Sequence, residues 1–392
     1  MLFRTPSLMG AEENAIGRIE DLRRQLRHRV AEPKRWYGGL RRLAFAKAVQ
    51  ASNSIEGYNA SVDDVLAAVE DEDPMDAATE TVSALQGYRD AMTYVLQLSE
   101  DGDVDIDEAL LKSLHFMMLK SDLSKRPGRW RAGDVYVRRE PEDEIVYEGP
   151  DASQIPELMG ELFGRLREDD GPVLIRAAMA HLNLVMVHPF KDGNGRMARC
   201  VQTMVLARER IVAPVFSSIE VQLGRDTEAY YNVLAEVGQG SWHPEGDSRP
   251  WVRFCLNAHF QQGQRFLWLI HETEELWGHC EDLATGLDLP MRVVGPLCDA
   301  ARGLRLRNWS YRLAVKESEG VEIDISTASR DFRALVKFGL LTPQGETRGR
   351  YYTGTEKLRA VQALVRGGRP KRDTADLFRK EGEQMRLLDP AI

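Results

Sequence analysis

The sequence predicts a mainly α-helical protein with a short β-hairpin beside its helical core and a second module of helices and a hairpin at its C-terminal end. Three observations carry this expectation. Apolar residues recur at helical spacing over most of the first 110 residues, and again over 173–187 and 250–276. Two short alternating runs interrupt that pattern between Pro127 and Pro150. The charge also changes sign along the chain: residues 291–392 hold 20 Lys+Arg against 13 Asp+Glu, whereas the remainder holds 32 against 48. At 392 residues, two or three domains are expected. We divide the chain into a helical region at 1–110, a core at 111–285, a basic module at 290–360 and a charged tail at 361–392.

The elements follow in order. Helices are expected at 11–30, at 39–52 (Leu40, Leu43, Phe45, Ala48 and Val49 on one face), at 61–69 and at 76–98, the last two with Ser or Asp at the start. An amphipathic helix at 105–119 contains His115, read as a packing residue or a support for the site. The hairpin, about 134–148, pairs 134–137 with 144–147 across the polar run 138–143. The apolar helix 173–187 carries His181, read as structural. After it come helices at 197–208, 226–237 and 250–276, the last with Pro250 tolerated in its first turn and aromatics read as packing. In the basic module we expect helices at 291–302 and 309–315, a strand at 323–325, a helix at 326–338, and a hairpin from Gly339 through Thr353.

Composition excludes several classes. No apolar run approaches the roughly 20 residues of a membrane span, and the acidic, charge-laced start lacks the apolar core of a signal peptide. Cys200, Cys255, Cys280 and Cys298 are widely spaced with no CxxC pair, so neither a zinc site nor a disulfide framework is indicated. A cytoplasmic location with reduced thiols is expected.

The chemistry concentrates in His188-Pro189-Phe190-Lys191-Asp192-Gly193-Asn194-Gly195-Arg196-Met197-Ala198-Arg199. A histidine titrating near neutrality can take a proton from an attacking hydroxyl. Asp192 offers a hard oxygen ligand suited to Mg2+. Gly193 and Gly195 let backbone N–H groups approach an anion where a loop opens a helix. Arg196 and Arg199, three apart, can reach one group of phosphates. Together these are the parts that hold a nucleotide polyphosphate beside an activated nucleophile.

This stretch resembles the Fic motif, HxFx(D/E)GNGRxxR, at every fixed position. The resemblance implies a helical Fic core and, in most members, transfer of AMP from ATP to a protein hydroxyl. It implies His188 as general base, Asp192 as the magnesium ligand, Asn194 and the loop amides as the anion hole, Arg196 and Arg199 as β- and γ-phosphate ligands, and Phe190 as the loop's apolar anchor. Gly195 stands where the phosphate-transferring members carry lysine, which favours nucleotidyl transfer. The resemblance also implies that the hairpin is a flap holding a target peptide by main-chain pairing along Val135, Tyr136 and Val137. It further implies that Tyr230 and Tyr231 approach the adenine or the loop, although Gly238 departs from an asparagine that some members carry. Homodimers are common in the family.

Upstream, Ser52 and Glu56 are one helical turn apart and Gly57 can end the turn. Locally this is a helix end. Within the resemblance, (S/T)xxxE(G/N) is the inhibitory helix, about 45–58, with Glu56 pairing to Arg199 in place of the γ-phosphate. In some members the same glutamate supports removal of AMP.

The basic module resembles a winged helix-turn-helix domain. In DNA-binding examples this would put Thr327, Ser329, Arg330, Arg333 and Lys337 on the recognition helix and Arg348 and Arg350 on the wing. Protein docking is the alternative role, and Asp331 sits in the same helix. The expected function is therefore a self-inhibited protein adenylyltransferase using ATP and an unidentified target protein. The alternatives are a DNA-binding regulator with a nucleotide-sensing core, an enzyme with another nucleotide donor, or one that removes AMP.

Overall fold

The computed structural model describes residues 1–31, 34–101, 105–139, 144–168, 171–208, 216, 218–346, 349–368 and 376–378. It is mainly helical. Helices α1 (Gly10–Val30), α2 (Tyr37–Ser54), α3 (Val62–Val69), α4 (Thr79–Asp101) and α5 (Glu108–Leu119) precede a hairpin of β1 (Tyr136–Arg139) and β2 (Glu144–Glu148). Then come α6 (Ile155–Arg167), α7 (Val173–Val187), α8 (Asn194–Ala207), α9 (Glu220–Leu223), α10 (Thr227–Gly238) and α11 (Arg249–Gly286). The chain continues through α12 (Val294–Ala301), α13 (Asn308–Glu319), α14 (Ile325–Lys337), β3 (Leu341–Gln344), β4 (Tyr351–Gly354) and α15 (Glu356–Gly367).

Side-chain caps set many of the starts. Ser61, Asp107, Asp226 and Asp324 each accept an N–H from the first turn of the helix that follows, which satisfies a donor the helix itself cannot. Three expectations need correction. The strand expected at 323–325 is absent, because Asp324 caps α14 through Thr327 N at 2.7 Å and Ile325 becomes its first residue. Helix α11 runs past Leu276 to Gly286, since Trp277, Cys280 and Ala284 continue its buried face. The tail expected from 361 begins as the second half of α15, an amphipathic helix burying Leu358, Gln362 and Val365.

Two compact units emerge. The first comprises Met1–Arg24, Ala46–Gly263 and Asp373–Ile392; the second, Gln25–Phe45 and Gln264–Arg372. The second unit thus groups 25–45, from the expected helical region, and 264–285, from the expected core, with the basic module.

In the first unit α7 and α8 pack on each other and are buried nearly throughout, with Leu182, Leu184, Val187, Met197, Val201 and Val205 between 0% and 3% exposed. Each such aliphatic side chain contributes about 1.5–3 kcal/mol by burial. Helix α4 packs against both α5 and α8. Trp251 of α11 is fully buried and donates its indole N–H to Ala178 O at 2.7 Å. These contacts make a rigid base for the loop between α7 and α8.

In the second unit Phe332 of α14 stacks on Tyr352 of β4, with ring centroids 4.0 Å apart, and meets Tyr311 of α13 at 4.7 Å. Leu306 pairs with Tyr352 through two 2.8 Å backbone hydrogen bonds, an isolated antiparallel bridge beside β4. The buried Arg42 guanidinium is satisfied by Asp299 at 2.7 Å and Glu317 at 2.9 Å. No helix among the described residues is long and apolar enough to cross a membrane.

Candidate active site

The α7–α8 connection positions the expected residues. His188 ends α7 in the left-handed region (φ 49°), with its N–H on Leu184 O at 3.0 Å. The chain re-enters a helix at Gly193 (φ 78°), a conformation glycine adopts without the Cβ penalty. Between them Phe190 is fully buried, stacked on the His115 ring at 3.7 Å and against Trp130 at 4.8 Å. Asn194 clasps this residue: its amide N–H donates to Phe190 O and its carbonyl accepts from Phe190 N, both at 2.9 Å. One amide N–H and the carbonyl of Asn194 thus hold the loop, and its second amide N–H is not used in this clasp.

His115 supports the same loop. Gly128 N–H donates to its Nδ1 at 2.8 Å, so the ring proton sits on Nε2 and is donated to Asp192 O at 2.9 Å. Burial lowers its pKa to about 4, so it is neutral at pH 7. His181 lies deeper, between Gln202 and the Tyr230 hydroxyl, and is structural. His188 is half-buried. Its Nδ1 lies 3.2 Å from Val185 O, an acceptor, so Nδ1 carries the proton and Nε2 is the basic nitrogen. Burial, aided by the Arg131 charge, lowers this pKa to about 4. The imidazole is thus neutral and able to accept a proton at physiological pH.

Helix α8 begins without a side-chain cap, which leaves first-turn N–H groups facing outward from the loop. Arg196 and Arg199 are each 1% exposed, yet Arg196 Nε and Nη1 and Arg199 Nη1 have no hydrogen-bond partner among the described residues. Leaving such groups buried and unmet costs about 1–3 kcal/mol apiece. An anion at this helix terminus would satisfy them together.

The remaining Arg199 donors are engaged by the end of α2. Its Nε donates to Ser52 Oγ at 2.8 Å, and Nη2 donates to Ser52 O at 2.9 Å and to Glu56 Oε1 at 2.6 Å. Gly57 reverses the chain with φ 87°, and Tyr58 N–H returns to Asn53 O at 3.0 Å. Asp192 turns one carboxylate oxygen to Gly193 N–H at 2.5 Å and the other to Lys125 Nζ at 2.9 Å. Burial would raise its pKa, but Lys125 and Arg196 hold it below the usual range. Among the described residues no cluster of three His, Cys, Asp or Glu could hold a metal unaided. A single carboxylate facing bare phosphate donors nevertheless fits Mg2+, which commonly takes one or two carboxylates plus substrate phosphates.

The hairpin forms with Tyr136 opposite Glu148 and Val137 opposite Tyr147, followed by a bulge before Arg138. Val135 precedes β1 and accepts Gly149 N–H at 3.2 Å; residues 140–143 lie outside the described residues. Tyr136 is 44% exposed. Tyr147 anchors the hairpin by donating to Met186 O at 2.9 Å. The tyrosine pair separates in role. Tyr230 is 1% exposed, packs against Trp251 and Phe254 and lies beside Arg199 of α8. Tyr231 is 47% exposed and donates its hydroxyl to Ile55 O at 3.2 Å, touching the segment that carries Glu56.

In the second unit Arg330, Arg333 and Lys337 share an exposed face of α14, and Arg350 is exposed beside β4; Arg348 lies outside the described residues. Asp331 points inward. It takes a two-pronged hydrogen bond from Arg292 at 2.8 Å and one from the Tyr311 hydroxyl at 3.0 Å.

Sequence reasoning missed three residues. Arg131 donates to the carbonyls of His188 (2.8 Å), Gly133 (2.6 Å) and Pro150 (2.5 Å), while its own N–H meets Pro189 O at 2.9 Å. It ties the hairpin base to the loop between α7 and α8. Lys125 and Tyr58, joined at 3.0 Å, complete the surroundings of Asp192. No periodicity or spacing marks any of them.

The fold and site define a helical protein whose loop-to-helix turn presents a neutral imidazole, a carboxylate and buried guanidinium donors to an anion. Residues 105–206 match the Fic/DOC family, and the chain carries a domain of that family. Among curated proteins it is 31% identical over 170 residues to Protein adenylyltransferase fic-1 of Caenorhabditis elegans, covering 43% of this chain and 30% of that protein. It is 28% identical over 224 residues to Protein adenylyltransferase Fic of Nematostella vectensis, covering 55% and 47%. The matches thus span less than half the length of either relative. A solved Fic family protein from Desulfovibrio desulfuricans shares the fold at TM-score 0.57 and 20% identity, over 94% of this chain and 99% of that one.

Proposed function

We propose that this protein is a self-inhibited nucleotidyltransferase that moves AMP from ATP to a hydroxyl of a target protein or of itself. The observation that carries the reading is the set of orphaned Arg196 and Arg199 donors beside the uncapped start of α8. The relatives named protein adenylyltransferase support the same class of reaction.

The target hydroxyl, held along the hairpin edge at Val135, Tyr136 and Val137, attacks the α-phosphorus. A bond forms between that oxygen and phosphorus as His188 Nε2 takes the proton, and the bond to the pyrophosphate oxygen breaks. Backbone amides at the start of α8 stabilise the α-phosphate oxygens, while Arg196 and Arg199 receive charge on the departing pyrophosphate. Asp192 would hold Mg2+, which when bound neutralises phosphate charge. Glu56 occupies the Arg199 donor that the γ-phosphate needs, so the closed form described here is the restrained one. With all four thiols free and buried, a reducing, cytoplasmic setting suits the chain.

The test is incorporation of α-labelled against γ-labelled ATP with Mg2+ into wild type, Glu56→Gly, and Glu56→Gly with His188→Ala. We expect α-label on Glu56→Gly and its loss with His188→Ala. γ-label would mean phosphoryl transfer. No label, with label from UTP or CDP-choline instead, would change the donor.

The inward turn of Asp331 favours a second role for the other unit, because it leaves the outer face of α14 with Arg330, Arg333 and Lys337 as its charges over that stretch. We propose that this winged-helix-like unit docks on duplex DNA, with Arg350 alongside. Affinity that falls steeply with salt and drops for Arg330→Glu with Arg333→Glu supports it. Salt-independent or unchanged affinity leaves protein docking.

A further inference from the structure

We propose that Lys125 is a built-in cation latch on Asp192, held shut by Tyr58, so that the turn carrying Glu56 also keeps a divalent cation away from Asp192. This rests on the reading that Asp192 serves a nucleotide-bound cation, and deepens it.

The geometry joins three charges to one turn. Glu56 takes Arg199 directly at 2.6 Å. Two residues on, after the reversal at Gly57, the Tyr58 ring lies 5.3 Å from the Arg196 guanidinium carbon and 5.7 Å from Lys125 Nζ. Both spacings suit cation–π attraction. The Tyr58 hydroxyl also accepts from Lys125 Nζ at 3.0 Å, and the same ammonium meets Asp192 Oδ2 at 2.9 Å. Gly193 N–H holds Oδ1, so each carboxylate oxygen has one partner. The lysine stem is itself anchored: it rises from a 3-10 turn, Leu123–Lys125, whose Ser124 carbonyl accepts Lys191 Nζ of the catalytic loop at 3.0 Å.

An ammonium is a compact point charge, and it sits where a metal would have to approach Oδ2. Two cations on that oxygen repel each other, and each weakens the other's hold on it. Metal binding therefore disfavours Lys125 at Asp192, and displacing Lys125 removes the donor that holds the Tyr58 hydroxyl. By linkage the effect is reciprocal: releasing the turn strengthens metal binding by the same factor that metal binding loosens the turn. Tyr58 is a positioning residue here, acting on Asp192 through Lys125.

The experiment measures Mn2+ affinity in the ADP complex of the full chain, from the electron paramagnetic resonance of free Mn2+. It compares wild type, Lys125→Met, Tyr58→Phe, the double variant and Glu56→Gly. We expect Lys125→Met to bind Mn2+ about tenfold more tightly, within the usual range of such couplings. Tyr58→Phe should show a smaller gain, and the double variant should match Lys125→Met alone. Unchanged affinity in Lys125→Met, or a Tyr58→Phe gain that persists on top of it, overturns the latch while leaving the enzyme reading intact if Glu56→Gly binds Mn2+ with ADP. Absence of Mn2+–ADP binding in every protein overturns both.

Discussion

Gly195 and Glu56 share one volume. A β-carbon on residue 195 would overlap Glu56 Oε1, the oxygen that Arg199 Nη2 holds at 2.6 Å, and would stand 3.1 Å from Arg199 Nη1. The bare α-carbon is what lets the carboxylate close on the arginine.

Gly195→Ala should therefore expel Glu56 without straining the backbone, since residue 195 lies within α8 and its φ is not positive. We expect faster amide hydrogen exchange across 52–58 than in wild type. Unchanged exchange there would mean the turn docks without the Glu56 contact.

Ser52→Ala removes the hydroxyl that accepts Arg199 Nε at 2.8 Å. Loss of one buried, charge-assisted hydrogen bond costs about 1.5–3 kcal/mol. Self-modification with α-labelled ATP should rise to a level between wild type and Glu56→Gly; a rate at or below wild type would contradict it.

Arg131→Met keeps the apolar stem and removes donors to the carbonyls of His188, Gly133 and Pro150. Because buried acceptors are left unmet, unfolding free energy should fall by about 2–4 kcal/mol. In a Glu56→Gly background kcat should fall as well, since the His188 loop loses its tie to the hairpin. Denaturant titration and single-turnover labelling check the two effects separately.

His188 is neutral at pH 7 because burial holds its pKa near 4, and the Glu56 carboxylate raises rather than lowers it. Removing Glu56 therefore keeps the imidazole basic down to acidic pH. The Glu56→Gly transfer rate should be level from pH 6 to 8, with its acid limb well below 6. A limb near 6.5 would show an unshifted histidine.

Stability should fall on the acid side. Burial lowers the pKa of His115 and His188 to about 4 and of His181 and His259 to about 3, against about 6.5 when unfolded. Between those values the unfolded chain takes up protons that the folded chain refuses. The stabilisation is complete above pH 6.5 and is lost as pH falls toward 4. Glu220, raised to about 7 by burial, acts in the opposite direction, one group against four. The urea midpoint should be lower at pH 5 than at pH 7.5; an equal or higher midpoint at pH 5 contradicts this account.

The stretch from His188 to Arg199 was legible because its parts are consecutive: a helix end, a left-handed turn and a helix start place them together without help from the rest of the chain. Ser52 and Glu56 were legible only through resemblance to a family, since locally they read as a helix end. Arg131, Lys125 and Tyr58 were invisible, because their roles lie in partners 57 to 67 residues away. That Tyr230 is buried and Tyr231 exposed was not legible for the same reason. An aromatic pair looks alike in sequence whether it faces a ligand or, as Tyr230 does, the Trp251 core.

By itself the sequence determined the helical periods, their capped starts, the hairpin and the cradle at the head of α8, all governed by contacts within one or two turns. Only the tertiary structure decided which charge answers which. It paired Arg199 with Glu56 across 143 residues, set Lys125 on Asp192, and turned Asp331 inward to Arg292. Periodicity tells which face of an element is buried. The identity of a charge's partner depends on how distant elements meet, and no local pattern records that.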